Sequence, residues 1–194
     1  MATQVTIARS ELILGGQRSG KSRRGEQLAA AWLARSPAHR AVLIATARAH
    51  DDEMRARIDR HRHDRALRVP AMSTVEEPLA LAEAIRAQGG ARRWCWSMPA
   101  LWLTNLLMPV KPVPDAAEAA AGATSALLAA IAEADGPLVL VGNEIGLGVI
   151  PAGRETRDFV DALGLLNQQV AAACERVTFM AAGLTLMLKR GGAE

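Results

Sequence analysis

Residues 11–22 read ELILGGQRSGKS, and this stretch decides the fold of the chain. A short apolar run, 11–14, ends in two glycines, and a helix-forming segment, 23–34, follows the final Lys-Ser pair. The spacing GxxxxGK[ST] between a strand and a helix is typical of the P-loop, whose backbone N–H groups surround phosphates. The sequence therefore predicts a nucleotide-binding loop formed by eight residues: Gly15, Gly16, Gln17, Arg18, Ser19, Gly20, Lys21 and Ser22.

Two side chains of this loop suit phosphate chemistry. We expect Lys21 to reach the β and γ phosphates of a nucleoside triphosphate, and Ser22 to ligate Mg²⁺. The alternative is a glycine-rich turn that matches the motif by chance, which the flanking strand and helix patterns disfavour. Because ATPases, GTPases, kinases and transferases all use the loop, the motif does not name a reaction.

Strand and helix patterns alternate along the rest of the chain. Buried strands are predicted at 41–45, 137–142 and 177–182, and helices at 51–65, 79–88, 123–134 and 155–174. Residues 109–122, which contain three prolines, are predicted to form a surface loop. The pattern indicates an α/β fold with a mainly parallel sheet flanked by helices on both faces. The length, 194 residues, suits a single domain over 1–194.

Composition narrows the possible partners and compartment. Hydrophobic residues make up 50% of the chain and charged residues 22%, and no apolar stretch reaches the roughly 18 residues that span a bilayer. The net charge of +3 is small and the basic residues in 48–68 alternate with acids, which favours a small anionic substrate over nucleic acid. Cys95 and Cys174 form no CxxC pair, and no signal peptide is evident, so we expect a cytoplasmic protein.

Five sequence blocks narrow the reaction. They are GGQRSGKS (15–22), IATARAHDDEMRARIDRHR (44–62), TVEEPLALAEAI (74–85), LWLTNLL (101–107) and VGNEIGLGVIPAGRETRDFVDALGLLNQQVA (141–171). In order and spacing they resemble the adenosylcobinamide kinase/adenosylcobinamide-phosphate guanylyltransferase family. The resemblance implies a RecA-like P-loop fold, a homotrimer with active sites near subunit contacts, and a bifunctional enzyme of cobalamin nucleotide-loop assembly. Such an enzyme phosphorylates adenosylcobinamide with ATP or GTP, then transfers GMP from GTP to give adenosylcobinamide-GDP.

The resemblance also implies a covalent step on a histidine, and the matching residue is His61. A neutral imidazole can attack the α-phosphorus of GTP and leaves readily from the phosphoramidate. The alternative is a solvated histidine on a helix. Nucleotide contacts are implied at Arg62, His63, Asp64 and Arg65, although helical spacing turns His63 away from His61. A surface salt-bridge network is the alternative for the charged members of this group.

Two further segments match nucleotide-binding positions of the family. Ala45, Thr46 and Ala47 are implied to lie against the nucleotide, and Glu76 to recognise guanine, whose N1 and N2 donors suit a carboxylate. Glu77 is an alternative to Glu76, because the segment before Thr74 is longer than the family pattern and lacks its tryptophan. Both acids also suit the first turn of a helix.

Residues 94–100, WCWSMPA, depart from the family pattern. The family has an apolar strand there, typically VLVDCLT, whose acid holds Mg²⁺ or its water, whereas the aligned residue here is Ser97. The run is also poor strand material. Read one base out of frame, its codons can encode Val-Leu-Val-Asp-Ala, so we hypothesise a pair of compensating frameshifts in the gene or its sequencing. Glu144, which follows the strand 137–142, is the acid that could partly compensate.

Two other functions stay open from the sequence. One is a different P-loop small-molecule kinase with no covalent histidine step. The other is a nucleotide-binding homologue whose catalysis is impaired, because Ser97 offers no charge where the family has an acid.

Overall fold

The computed structural model describes residues 6–49, 51–109 and 114–191. Seven strands lie within them: β1 (Ser10–Gly15), β2 (Arg40–Ala45), β3 (Met72–Glu76), β4 (Arg93–Ser97), β5 (Leu138–Val141), β6 (Arg176–Ala181) and β7 (Leu184–Lys189). They form one sheet in the order β3-β2-β4-β5-β1-β6-β7. All neighbouring pairs are parallel except β6 and β7, which are antiparallel.

Helices cover both faces of this sheet. Their bounds are α1 (Lys21–Leu33), α2 (Asp52–Arg68), α3 (Leu81–Gln88), α4 (Pro99–Leu107), α5 (Ala116–Glu133) and α6 (Arg154–Ala173). Side chains of β1 alternate between the two faces, so that Leu12 packs with α3 to α6 and Ile13 packs with α1. The predicted α/β class, a mainly parallel sheet with helices on both faces, is confirmed. No helix in the described ranges has the length and apolar character needed to cross a membrane.

The parallel strands bring the ends of β1, β2, β4 and β5 to one edge of the sheet, which is where α/β folds bind ligands. The loop after β5 contacts the loop after β1, because the Glu144 N–H donates to the Gly15 carbonyl at 3.0 Å. The turn between β6 and β7 contacts the same loop, because the Gly183 N–H donates to the Ser19 carbonyl at 3.0 Å. The sequence-predicted phosphate loop is therefore held from both sides.

The prediction that 94–100 is unsuited to a strand is wrong for its first residues, since Arg93–Ser97 forms β4. This segment pairs with β2 on one side and β5 on the other, as in the contacts of Cys95 with Val42 and Leu138. Pairing and burial between two strands outweigh the weak local propensity. Pro99 does not interrupt the strand, because it begins α4.

Three other boundaries differ from the predictions. Helix α5 begins at Ala116, inside the predicted loop 109–122, because the alanine-rich sequence there strongly favours helix; residues 110–113 lie outside the described residues. Glu76 ends strand β3, so the interpretation of Glu76 and Glu77 as acids in a helical first turn is wrong. Helix α2 continues to Arg68, three residues beyond the predicted end.

Candidate active site

The loop between β1 and α1 has the backbone that its glycines predict. Gly15 has a φ of 153°, and a Cβ there would clash with the Met180 carbonyl oxygen of β6. Gly20 has a φ of 101° immediately before α1. Both values lie in the region that glycine adopts without steric cost. The two glycines therefore allow the tight turn that leads into the amino end of α1, where the helix dipole favours an anion such as phosphate.

Lys21 lies at the centre of this loop. Its side chain folds back so that Nζ donates to the Gly16 carbonyl at 2.6 Å, and the residue is only 8% exposed. Burial, and then the positive charge of Arg57, lower the pKa of Lys21. The buried Ser19 hydroxyl has no hydrogen-bond partner in the described part of the chain. An ammonium without an acid partner and an unpaired hydroxyl fit an anionic ligand here.

Helix α2 carries His61 and presents it to α1. Glu26 of α1 is buried, and its carboxylate accepts from Arg68 of α2 at 2.8 Å. His61 and Arg68 are seven residues apart, hence on the same face of the helix. The face of α2 that carries His61 is thereby turned toward the helix that begins at the phosphate loop.

The surroundings of His61 favour its neutral form. Burial is the largest effect, and the nearby Arg57 adds to it, so the pKa of His61 falls below its ordinary value. Arg65 lowers the pKa further, while Asp64 and Glu26 act in the opposite direction. The side chain nevertheless keeps enough exposure to be reached by a ligand. A neutral, accessible imidazole is the form that acts as a nucleophile.

The structure brings part of the segment 62–65 together with Glu76. Arg62 makes an ion pair with Glu76 at the end of β3, and Arg65 donates to Thr74 at 3.5 Å. Asp64 lies 3.7 Å from Arg68. A cavity of about 330 Å³ lies between α2 and β3 and is lined in part by Arg62, Arg65 and Glu76. The surface salt-bridge network that was the alternative for these charges is therefore present in the structure.

His63 is not brought to the site. At roughly 100° per residue it lies about 200° around α2 from His61, and its side chain is exposed. Both histidines lie in helix α2, so the predicted separation of His63 from His61 is found in the structure.

Glu76 and Glu77 have separate environments. The Glu77 carboxylate accepts from the N–H groups of Leu79 and Ala80 at 2.9 and 2.8 Å, and these bonds lower the pKa of Glu77. Glu77 thus caps the turn that leads into α3. Glu76, in contrast, points toward α2, where the predicted nucleotide contacts lie. Of the two acids, Glu76 is the one whose carboxylate contacts α2.

The segment Ala45–Ala47 lies at the end of β2, beside the end of β4. Thr46 is fully buried, and its hydroxyl donates to the Met98 carbonyl at 3.0 Å. Asn105 of α4 donates to the Thr46 carbonyl at 2.7 Å and to the Pro78 carbonyl at 3.0 Å. The Thr46 side chain is therefore occupied by the protein, and the half-buried Ala45 and Ala47 present the accessible part of this segment.

The acid position of β4 is filled by an uncharged side chain. Ser97 is fully buried at the end of the strand, and its hydroxyl donates to the Ile44 carbonyl at 3.1 Å. The Glu144 carboxylate accepts from the Gly146 N–H at 3.0 Å within its own loop, which is the structural role that the sequence left open beside compensation. The described residues contain no group of three or more His, Cys, Asp or Glu side chains arranged for a metal ion. The fit to Mg²⁺ is thus partial: Ser22 offers a hydroxyl, but β4 offers no carboxylate.

Comparison with known proteins identifies the family. The model for "Cobinamide kinase / cobinamide phosphate guanyltransferase" matches residues 11–188. The chain belongs to this family. A bifunctional adenosylcobalamin biosynthesis protein CobP from Pseudomonas aeruginosa is 47% identical over 182 residues, covering 92% of this chain and 96% of the relative. The resemblance predicted from the five sequence blocks is confirmed.

Two enterobacterial relatives carry a similar name. The bifunctional adenosylcobalamin biosynthesis proteins CobU of Escherichia coli and Salmonella typhimurium are 35% and 31% identical to this chain. Each match covers 92% of this chain and 98% of the relative. Among solved structures, the flagellar accessory protein FlaH of Methanocaldococcus jannaschii has a TM-score of 0.48 at 11% identity, covering 96% of this chain and 80% of that one. The chain matches the CobP and CobU relatives along nearly their whole length.

Sequence reasoning missed three residues that shape the site in this family member. Glu26 holds α2 against α1, Asn105 joins the ends of three segments, and Arg57 changes the pKa of both Lys21 and His61. Glu26 and Arg57 are charged residues at ordinary helical positions, and only their tertiary neighbours distinguish them. Asn105 had a signal, since an amide within the apolar run LWLTNLL needs buried hydrogen-bond partners.

Proposed function

We propose that this chain phosphorylates adenosylcobinamide and then transfers GMP to the phosphate so formed. In the first reaction the aminopropanol hydroxyl oxygen attacks the γ-phosphorus of ATP or GTP. The bond between that phosphorus and the β–γ bridging oxygen breaks, and the nucleoside diphosphate leaves. Lys21 and the backbone N–H groups of the loop 15–22 bind the phosphates and stabilise the charge that develops on them.

The second reaction uses His61. A ring nitrogen attacks the α-phosphorus of GTP, the bond to the α–β bridging oxygen breaks, and pyrophosphate leaves. A phosphate oxygen of adenosylcobinamide phosphate then attacks the same phosphorus, the P–N bond breaks, and adenosylcobinamide-GDP is released. The lowered pKa of His61 keeps the ring neutral near pH 7, so that its lone pair is available for the first attack.

One observation carries this proposal. The phosphate-binding loop leads into α1, and His61, whose pKa is lowered, lies on the face of α2 that the ion pair of Glu26 with Arg68 joins to α1. A simple P-loop kinase has no need of such a histidine. Glu76, which ends β3 beside α2, is the acid we propose for guanine recognition, while Ala45, Ala47, Arg62, Asp64 and Arg65 complete the proposed nucleotide contacts. The position of His63 argues against its inclusion.

We propose Mg²⁺ as the cofactor, held at Ser22. When bound with a nucleoside triphosphate, Mg²⁺ neutralises charge on the β and γ phosphates. The half-buried Ser22 hydroxyl at the start of α1 suits one coordination position. Ser97 supplies no second charged ligand, so in this chain Lys21 carries a larger share of the charge neutralisation.

Labelled nucleotides test the two reactions separately. With α-labelled GTP we expect an acid-labile label on the protein, which His61→Ala removes. With γ-labelled ATP and adenosylcobinamide we expect phosphate transfer that survives His61→Ala. Lys21→Ala is the comparison variant, and we expect it to lower both the α-labelling of the protein and the phosphate transfer to adenosylcobinamide. Retention of the α-label in His61→Ala would disprove the role of His61, and absence of phosphate transfer in the unchanged chain would disprove the kinase role.

A second candidate function is nucleotide binding with impaired turnover. The buried Ser97 at the acid position of β4 favours it. GTP binding by equilibrium dialysis, together with turnover of adenosylcobinamide, separates the two. Binding without either transfer supports the second candidate, whereas transfer at a rate that rises with Mg²⁺ supports the first.

We also propose a homotrimer that acts in the cytoplasm, where ATP and GTP are available. Strand β7 at the sheet edge exposes all six of its residues, among them Leu184, Leu186 and Leu188. The loop after β5 exposes Leu147 and Val149, the latter to 95%. An apolar edge strand of this kind is covered by another chain in many assemblies.

A further inference from the structure

Arg57 lies on the face of α2 that is turned toward α1. It precedes His61 by four residues, one helical turn, and Arg68 by eleven residues, close to three turns. Arg68 pairs with the buried Glu26, five residues after Lys21 in α1. Residues 57, 61 and 68 of α2 therefore form a row that faces the helix of the phosphate loop.

The Arg57 guanidinium has no hydrogen bond or ion pair with any residue in the described ranges. Its neighbours on α2 differ, because Arg55 pairs with Asp52, and Arg62 pairs with Asp59 and Glu76. Arg57 thus presents a free charge on the same face as His61. Five N–H donors in a planar fork suit a phosphate group.

The positive charge of Arg57 acts on the neighbouring His61. Arg57 is close enough to His61, one helical turn along α2, to lower the pKa of that ring after burial. Arg57 and His61 therefore act on a common space in front of the α2 face that the ion pair of Arg68 with Glu26 turns toward α1. Their mutual repulsion is relieved when a polyanion occupies that space.

We propose that Arg57 is a further phosphate-binding residue of this site, which contacts the triphosphate of GTP between Lys21 and His61. This inference rests on the proposed function, because it assumes that His61 attacks the nucleotide bound by the loop. In the guanylyl transfer, Arg57 would stabilise the negative charge that develops on the departing pyrophosphate.

Nucleotide affinity measures this role without any corrinoid. Dissociation constants for GMP, GDP and GTP are determined by equilibrium dialysis for the unchanged chain, Arg57→Ala, Arg57→Lys and Arg60→Ala. Arg60 is the matched control, because it is an exposed arginine of the same helix about 100° around from His61. For Arg57→Ala we expect GTP affinity to fall about tenfold or more, and GMP affinity to change much less. Arg57→Lys should retain part of the GTP affinity.

A pH profile provides a second readout. The charged groups that act on His61 are Arg57, Asp64 and Arg65 of α2 and Glu26 of α1. Removing Arg57 raises the pKa of His61, so the pH below which α-labelling declines moves upward in Arg57→Ala and stays in place in Arg60→Ala. A purely structural role would lower the rate without this shift.

The outcomes separate Arg57 from the proposed function. GTP affinity within twofold of the unchanged chain in Arg57→Ala, or equal losses for GMP and GTP, would overturn the inference. Absence of α-labelling in the unchanged chain, together with the expected loss of GTP affinity in Arg57→Ala, would overturn the guanylyltransferase proposal but support Arg57 as a phosphate contact. Failure of the unchanged chain to bind GTP would overturn both.

Discussion

The four tryptophans of the chain differ in how their indole N–H groups are satisfied. Trp32 donates to the Arg40 carbonyl at 3.1 Å, and Trp102 to the Leu79 carbonyl at 2.7 Å. Trp94 and Trp96 of β4 are buried with no hydrogen-bond partner in the described residues. A buried donor without a partner costs free energy, so the β4 indoles fit the sheet less well. This is the same segment in which the family pattern has apolar residues and an acid.

Substituting matched tryptophans measures this difference. Trp94 and Trp102 are 0% and 1% exposed, and changing either to Phe removes the same atoms. Trp102→Phe also leaves the Leu79 carbonyl without its donor, so it should lower the free energy of unfolding by about 1 kcal/mol more than Trp94→Phe does. Urea denaturation of both variants checks this. Equal losses, or a larger loss for Trp94→Phe, would contradict it.

Restoring an acid at Ser97 should raise Mg²⁺-dependent turnover. The Ser97→Asp carboxylate would lie at the end of β4, at the edge of the sheet where the loop after β1 also lies. We expect the phosphoryl-transfer rate at saturating Mg²⁺ to rise about tenfold. Ser97→Asn is the control, because it has nearly the same shape without the charge. Full activity in the unchanged chain, with no gain from Asp, would show that the acid is dispensable.

Resequencing codons 90–101 tests the frameshift hypothesis directly. We expect a one-base gain and a one-base loss on either side of the Trp94–Ser97 codons, restoring Val-Leu-Val-Asp. An intact frame with no such shifted reading refutes it. In that case the unpaired indoles and Ser97 are genuine properties of the protein.

At the scale of elements, α2 differs from the other helices in how it is attached. None of its 17 residues is buried, whereas α1 buries Leu28, Ala29 and Trp32. Polar contacts from its carboxyl half, namely those of Arg62, Arg65 and Arg68, join it to neighbouring elements. The position of His61 therefore depends on charged contacts instead of apolar packing.

The two partners of the α1–α2 ion pair should respond unequally to neutralisation. The Glu26 side chain is 6% exposed and the Arg68 side chain 47% exposed. Arg68→Gln leaves a buried carboxylate without its cation, whereas Glu26→Gln leaves an arginine that water can solvate. We expect Arg68→Gln to reduce the urea midpoint more than Glu26→Gln does, and both to slow α-labelling of His61. The exposed Glu83→Gln on α3 is a control for carboxylate removal; a larger stability loss in Glu26→Gln would reverse the argument.

At the scale of the whole molecule, strand β7 at the edge of the sheet is the surface on which the proposed trimer can be tested. Its pairing edge and its leucines face outward in the single chain. If three copies cover this edge, Leu186→Lys should convert the trimer to smaller species at micromolar concentration, because the charge would be buried in the contact. Light scattering after size exclusion gives the mass. A trimer that survives Leu186→Lys would place the contact elsewhere.

The two cysteines report on global unfolding. Burial raises the pKa of both Cys95 and Cys174 to about 12, so the thiols stay protonated well above neutral pH. We expect no reaction with an aromatic disulfide reagent at pH 8 in the folded protein, and two reacting thiols in 6 M guanidinium chloride. Rapid labelling of the folded chain would indicate that one of these segments opens locally.

Much of the fold followed from local patterns. The GGQRSGKS loop, the apolar strands 137–142 and 177–182 and the helix near 155–174 depend on residue periodicity and on glycine conformations, which short stretches encode by themselves. The family also followed from the sequence, since its blocks keep their order and spacing. Residues 94–97 were predicted incorrectly because pairing with β2 and β5 overrode their weak strand propensity. Residues 116–122 were predicted as a loop because the prolines before them were given more weight than their alanines, which favour a helix.

The sequence by itself determined the phosphate loop, the parallel α/β class and the family, because each rests on contiguous residues. Only the tertiary structure decided that Glu26 is buried against Arg68, and that Glu76 turns toward α2 while Glu77 caps a turn. The physical reason is that these relations join helices and strand ends far apart in the chain. Which charges, apolar groups and hydrogen-bond partners surround a side chain is fixed only when such segments pack together.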